Sequence, residues 1–255
     1  MKKIAVVTGA SSGMGRDFAL TLEKHVKVDE IWAIARTEKA LAELGKQTEI
    51  PVKVVSMDLT DPESFTKYEQ LLQEEQPEIS LLVNASGFGI FDSVSDMKMK
   101  DSDGMVDLNC KALVKMTKMS LPYMHEGSKI INIASMAAFQ PIPYIDVYGA
   151  SKAFVLSFSR ALNSELELRK IQVLAVCPYW TKTKFFDRAV GEKQIVKKYI
   201  VMYEPEMIIT QAWKDLEKGK DISIYGTIAK GQALLCKLLP HKLVMNIWKK
   251  QQDLD

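Results

Sequence analysis

Cysteine and histidine are scarce in this chain, with three of each among 255 residues. Cys110, Cys177 and Cys236 are odd in number and far apart, which excludes a disulfide framework and a cysteine-based metal cluster. His25, His125 and His241 are scattered and form no H-E-x-x-H grouping, so no metal site is expected. Neither sign of charge dominates: 34 basic and 32 acidic residues leave a formal charge of +2. Such a balance provides no field to recruit nucleic acid, and no nucleic-acid partner is expected. Long apolar runs are missing as well, and no stretch approaches the ~18 consecutive apolar residues of a membrane span. The opening MKKIAVVTGA imitates a secretion signal for a few residues, but its apolar part is too short. These absences lead to the expectation of a reduced, cytoplasmic protein. Repeats, low-complexity tracts and linkers are absent too, and the length suits one domain.

What is present is alternation. Strand-like apolar runs recur at 3–8, 30–35, 52–57, 79–83, 129–134, 171–176 and 221–225. Helix-like stretches fall between them, at 13–25, 37–48, 61–75, 102–125, 147–169 and 204–218. Thr60-Asp61-Pro62-Glu63 has the composition of a helix start, with a capping side chain and a proline in the first turn. Repeated strand–helix units predict an α/β fold, a doubly wound parallel sheet of seven strands with helices on both faces. Ligands in such sheets bind beyond the carboxyl ends of the strands.

The first strand-like run, KIAVVT, leads directly into GASSGMGRDFALTLEKH. Gly9, Gly13 and Gly15 are spaced G-x-x-x-G-x-G, and Met14, Phe18, Ala19 and Leu22 then recur at helical spacing. A glycine turn from strand into helix presents backbone N–H groups and the positive end of a helix dipole to an anion. For a dinucleotide that anion is the pyrophosphate, and glycine lets backbone approach it closely. Ser11, Ser12 and Met14 lie within the same turn.

A second pattern lies in YGASK, where Tyr148 and Lys152 are one helical turn apart, with Ser135 upstream. A phenol with a pKa of about 10 is a weak acid and a weaker base near neutrality. An ammonium on the same helix face is expected to pull that pKa down, and a hydroxyl from elsewhere can hold a substrate oxygen beside the phenol. This is the composition of an acid/base site for a carbonyl or an alcohol.

With both patterns in view, the sequence resembles the short-chain dehydrogenase/reductase family from residue 3 to about 225. TGASSGMG (8–15) matches the family's T-G-x-x-x-G-x-G, LLVNASG (81–87) resembles its N-N-A-G stretch, and YGASK matches Y-x-x-x-K. KIINIAS ends in the family's serine, Asn109 stands at its helix asparagine, and Pro178 and Thr183 match the ends of P-G-x-x-x-T. The resemblance implies a Rossmann-like, three-layer α/β/α single domain. It implies Asn109, Ser135, Tyr148 and Lys152 as the catalytic set. Asp58 and Leu59 are implied to flank the adenine, with Asn84, Ala85, Ser86 and Gly87 along its inner edge. Lys152 is implied to bind the nicotinamide ribose, and Pro178, Thr181 and Thr183 to lie at the nicotinamide end. Two departures stand out: Ala85 and Ser86 replace the asparagine and alanine of N-N-A-G, and Tyr179 replaces the glycine after Pro178.

The second strand-like run, EIWAIA, ends at Ala35 and is followed by Arg36 instead of the carboxylate that binds a ribose 2′-hydroxyl. An arginine there can pair with a 2′-phosphate, so NADP is expected over NAD. A merely solvated Arg36 would leave NAD acceptable. Residues 179–203 concentrate Trp180, Phe185, Phe186, Tyr199, Met202 and Tyr203, and by resemblance form a substrate lid, suited to an apolar molecule. The C-terminal extension, 226–255, is apolar and basic and carries no family motif. It is expected to pack on its own or a partner subunit, completing the pocket or an oligomer interface, with a membrane surface as the lesser alternative. The expected activity is NADP(H)-dependent interconversion of a bulky apolar ketone, such as a steroid or fatty-acyl ketone, and its secondary alcohol. A 3-oxoacyl-carrier reductase and a non-catalytic NADP(H)-sensing regulator are the alternatives. The resemblance also implies a homodimer or homotetramer built on the helices at 102–125 and 147–169.

Overall fold

The computed structural model describes residues 1–190 and 195–254. Seven strands form one sheet: β1 (Lys3–Thr8), β2 (Glu30–Ala35), β3 (Val52–Ser56), β4 (Glu78–Asn84), β5 (Lys129–Ile133), β6 (Gln172–Val176) and β7 (Ile222–Ser223). All neighbouring strands are parallel, in the order β3-β2-β1-β4-β5-β6-β7. Ile4 to Val7 of β1 are fully buried, which explains an unbroken apolar run in place of alternation: the strand is covered on both faces. The order reverses between β1 and β4, and the crevice of a doubly wound sheet opens at that point.

Among the described residues there are ten α-helices: α1 (Gly13–Thr21), α2 (Glu38–Gly45), α3 (Pro62–Glu75), α4 (Met99–Val106), α5 (Leu113–Ser120), α6 (Asp146–Glu165), α7 (Phe185–Ala189), α8 (Pro205–Glu217), α9 (Thr227–Leu238) and α10 (His241–Gln252). Helices α1, α2 and α8 bury Phe18, Leu41, Leu44 and Trp213 against one face. Helices α3, α5 and α6 bury Phe65, Tyr68, Met116 and Leu162 against the other. Three layers result, as the repeated units require. Helix α3 starts where its sequence indicates: the Asp61 side chain accepts from the Glu63 N–H, and Pro62 occupies the first turn.

One element differs from the sequence expectation, and two features lie outside it. The helix expected at 102–125 begins at Met99 and is interrupted by a π-helical turn, Asp107–Ala112, between α4 and α5. Periodicity does not reveal a π turn, because one extra residue shifts the apolar stripe without breaking it. The 226–255 segment, which lacks any motif, forms α9 and α10. Tyr144 turns the chain into α6 with φ 67.

Polar side chains tie the layers together beneath the crevice. Asn84 Nδ2 donates to Thr117 Oγ1 at 3.1 Å and to Asn132 Oδ1 at 2.9 Å, and Asn132 Nδ2 donates to Ser159 Oγ at 2.9 Å. This chain runs from α5 through β4 and β5 to α6, pinning the register at the carboxyl end of the sheet.

Candidate active site

The glycine turn follows β1 and enters α1. Gly9 has φ +68, and a Cβ there would lie 2.9 Å from the Ala85 carbonyl oxygen. A Cβ on Gly15 would lie 2.5 Å from the Gly9 carbonyl oxygen. Only glycine permits this close stacking of the turn on the 85–87 loop. Thr8 Oγ1 accepts from the N–H groups of Ala85 and Ser86 at 3.0 and 3.2 Å, fastening that loop to β1. Ser12 precedes α1 without a side-chain cap, and the first turn, Gly13 to Gly15 onward, carries no carboxylate. Its amides therefore suit a phosphate anion, and Ser11, Ser12 and Met14 border the same cradle.

At the other end of this edge, Arg36 follows β2 and Asp58 follows β3. Arg36 Nη1 lies 4.0 Å from Asp58 Oδ2, with the Arg36 side chain 70% exposed. Burial alone would raise the Asp58 pKa, but hydrogen bonds from the Thr60 N–H and hydroxyl, and the Arg36 charge, hold it below the usual range. Leu59 is buried beside it. The side chain of Asn84 turns into the sheet toward Thr117 and Asn132, with Oδ1 left unpartnered. It serves the scaffold, whereas Ala85 and Gly87 reach the cavity described below.

Ser135 lies just beyond β5, and Tyr148 and Lys152 lie on α6. Tyr148 and Lys152 share one face of α6, with Lys152 Nζ 5.7 Å from the Tyr148 ring centroid. Tyr148 hydrogen-bonds Ser135, whose Oγ also accepts from the Ala137 N–H at 3.1 Å. Lys152 Nζ donates to the Ile133 carbonyl at 2.7 Å. Asn109 lies in the π turn: its Nδ2 donates to Phe88 O and Ser151 Oγ at 2.9 and 3.0 Å, and its Oδ1 accepts from the Phe88 N–H at 3.0 Å. Its side chain thus clamps the loop after β4 to α6. Gly87 lies against this junction, since a Cβ there would sit 2.8 Å from Asn109 Oδ1 and 3.5 Å from Lys152 Nζ.

The electrostatics depart from the expectation of an acidified phenol. Burial pushes Tyr148 up to about 12, against a smaller lowering by the Ser135 hydrogen bond. Burial pushes Lys152 down to about 8. The thiols beside the lysine are raised by burial too, Cys177 to about 12, so they remain neutral and offer no counter-charge. Desolvation outweighs the mutual effect of amine and phenol among the protein's own groups. At neutral pH the phenol keeps its proton.

These residues line one end of a cavity of about 490 Å³. Met14, Ala85, Gly87, Ser135, Tyr148, Lys152, Pro178, Thr181 and Thr183 are on its walls. The rest is apolar. Phe91 and Phe185 pack on the Tyr148 ring, with centroids 5.9 and 5.4 Å away. Trp180 stands among Phe186, Tyr199 and Trp248 at 5.7, 5.1 and 6.3 Å. Trp180, Phe185, Phe186 and Ile200 of the 179–203 segment thus line the cavity, and residues 191–194 of that segment lie outside the described residues. Its two ends are joined by backbone hydrogen bonds, Lys182 N to Tyr203 O and Tyr203 N to Trp180 O.

Tyr179 is itself on the cavity wall. Its ring packs with Ala229 and Ala233 of α9 and edge-on to Trp180 at 6.2 Å. Residues on α9 and α10 also line the cavity, among them Ile228, Leu235, Val244, Ile247 and Trp248. The sequence points to the 226–255 segment as a candidate to complete the pocket without singling out these residues; the helical spacing of Ile228, Gln232, Leu235 and Leu239 is the signal that does so. Trp248 Nε1 donates to Pro143 O at 3.1 Å. The buried Gln252 side chain accepts from the N–H groups of Lys197 and Lys198 at 2.8 and 2.9 Å and donates to Lys198 O. Helix α10 is thereby anchored to the turn before α6 and to the segment at Lys197–Lys198.

A nicotinamide dinucleotide fits these features: a helix start free of carboxylates after a turn closed on its own backbone at Gly15, an arginine directly after β2, and Tyr148 and Lys152 on the wall of a cavity that Met14 and Gly87 also line. Among the described residues, no group of three or more His, Cys, Asp or Glu could hold a metal ion.

Comparison with known proteins agrees. The family model for short chain dehydrogenases matches residues 3–194. An uncharacterised oxidoreductase of Staphylococcus epidermidis is 32% identical over 179 residues, covering 69% of this chain and 77% of that protein. A very-long-chain 3-oxoacyl-CoA reductase of Anas platyrhynchos is 36% identical over 192 residues, 71% of this chain but only 60% of that enzyme. Among solved structures, a short-chain dehydrogenase from Sphingobium yanoikuyae in complex with NADPH aligns with TM-score 0.78 and 25% identity, over 96% of both chains. The match runs from β1 into the segment over the cavity and extends to sequence as well as fold: this chain belongs to the short-chain dehydrogenase family of oxidoreductases.

Proposed function

We propose that the protein reduces a bulky apolar ketone, of steroid or fatty-acyl type, to the secondary alcohol with NADPH, and catalyses the reverse. The observation that carries this reading is a protonated phenol, hydrogen-bonded to Ser135, at one end of a largely apolar cavity of about 490 Å³. A bound dihydronicotinamide would supply the hydride. Ser135 and Tyr148 hold the substrate oxygen, and Tyr148 passes its proton there as negative charge develops. Lys152, held by the Ile133 carbonyl, orients the nicotinamide ribose and stabilises the phenolate that remains. Asn109 keeps the loop after β4 against α6. The aromatic lid and α10 exclude water from the reacting oxygen. Protonation of Tyr148 at neutral pH favours the reductive direction, because reduction needs the acid and oxidation the base.

The Anas platyrhynchos relative, named as a 3-oxoacyl-CoA reductase, supports an acyl ketone among the apolar candidates. The presence of Ser135, Tyr148 and Lys152 in one site weighs against a cofactor sensor without turnover. A panel of steroid ketones, 3-oxoacyl thioesters and small ketones, followed by NADPH and NADH absorbance, tests the reading. Bulky apolar ketones are expected to turn over at lower KM than small ones. Turnover confined to small polar ketones, or absent throughout, overturns it.

For the cofactor, Arg36 and the lack of a carboxylate at Ala35 support NADP, as does the NADPH bound by the Sphingobium yanoikuyae relative. Arg36→Ala is expected to weaken NADPH binding about tenfold or more, the worth of a charge-assisted hydrogen bond. NADH affinity should hardly move. Equal NADPH affinity in mutant and wild type defeats the assignment.

A further inference from the structure

We infer that the outer face of α9 and α10 is a docking surface for an anionic lipid membrane, placed around the mouth of the cavity. From Thr227 to Gln252 the chain carries five lysines and no carboxylate, a formal charge of +5. The remainder, with 29 basic and 32 acidic residues, carries −3. Among the described residues none of these five lysines is drawn into an ion pair. The same segment, a tenth of the chain, holds six of the fourteen exposed large hydrophobic side chains found among the described residues.

The two sets interleave. Leu234 and Leu238 lie one turn apart on α9, with Lys230 and Lys237 on the same stripe, and Leu238 is 72% exposed. Leu243 and Ile247 repeat the pattern on α10, with Lys250 beyond them. Single exposed leucines are ordinary on protein surfaces. Stripes of them ringed by cations are the composition of a helix lying in a lipid interface. Among the described residues, no helix is long and apolar enough to cross a membrane, so the helices would rest on the surface.

The patch is continuous with the cavity. Ile228, Leu235 and Ile247 line the cavity and are also exposed, so its mouth opens through the proposed contact. Charge selects the occupant. A second copy on the same face would set lysines against lysines, whereas anionic headgroups complement them. The inference holds whichever ketone the cavity takes.

Cosedimentation of the full chain with vesicles tests it, using phosphatidylcholine alone and an equal mixture with phosphatidylserine. Binding is expected on the mixed vesicles, weakly on the neutral ones, and to fall with added salt. Lys237→Glu and Lys242→Glu are each expected to lower vesicle affinity about fivefold or more. The pair Leu234→Ser and Leu238→Ser is expected to lower it about tenfold. None of these side chains lines the cavity, so turnover of a small soluble ketone should persist in every variant. Equal binding to both vesicle types, or variants that bind like wild type, overturns the inference. So does a dimer that Leu238→Ser dissociates while vesicles bind nothing.

Discussion

Tyr148→Phe is expected to lower ketone reduction about 10²- to 10⁴-fold, the usual contribution of a positioned acid, while cofactor affinity stays near wild type. The ring is held by Phe91 and Phe185, and phenylalanine keeps those contacts. The hydroxyl's partner, Ser135, retains the hydrogen bond from the Ala137 N–H. The fold should therefore change by no more than about 1 kcal/mol, the net worth of one hydrogen bond. Steady-state turnover, with NADPH affinity measured by fluorescence titration, separates the two effects. A variant keeping more than a tenth of wild-type turnover would remove Tyr148 from the chemistry. The wild-type pH profile adds a second readout. With the phenol held up to about 12 by burial, reduction should not decline through loss of its proton as pH rises past neutrality. Alcohol oxidation, which needs the phenolate, should climb.

Lys152→Met is expected to abolish turnover and yet stabilise the fold at neutral pH. Burial lowers the Lys152 pKa from 10.5 to about 8, a penalty of order 3 kcal/mol on the ammonium at pH 7. The lost hydrogen bond to Ile133 offsets about 1 kcal/mol. A net gain of order 2 kcal/mol corresponds to several degrees of melting temperature for a chain of this size. The pH dependence has a definite sign. The unfolded lysine keeps its proton up to its ordinary pKa, whereas the folded one releases it above about 8. Between these two values the unfolded state binds more protons, so wild-type stability rises with pH. The advantage of Lys152→Met is therefore largest below pH 8 and fades as pH approaches 10.5. Thermal melts across that range check this. A lower melting temperature at neutral pH, or a gain that persists at high pH, would show that the lysine is not a strained functional group. The arrangement is a trade of stability for a poised cation, as active sites often display.

Much of the fold was legible in the chain. Strands covered on both faces read as unbroken apolar runs, and β1, β2 and β4 were found within a residue or so of their ends. The glycine turn was legible because only glycine fits where Gly9 and Gly15 meet backbone, and the helix start at Asp61 because its cap is a local hydrogen bond. The π turn holding Asn109 was not legible, since it changes register without changing composition. The destinations of α9 and α10 were equally hidden, as amphipathic spacing tells that a face is buried but not against what. The partners of the Asn84 side chain, Thr117 and Asn132, are distant in sequence and were not legible either.

By itself the sequence determined the doubly wound sheet, the glycine turn after β1 and the pairing of Tyr148 with Lys152 one helical turn away, because each rests on spacing within one strand, turn or helix. Tertiary structure alone decided the protonation of Tyr148 and Lys152, the place found for Tyr179, and the closing of the cavity by the C-terminal helices. Those outcomes depend on how much water is excluded and which distant side chains meet, and both are properties of the packed whole.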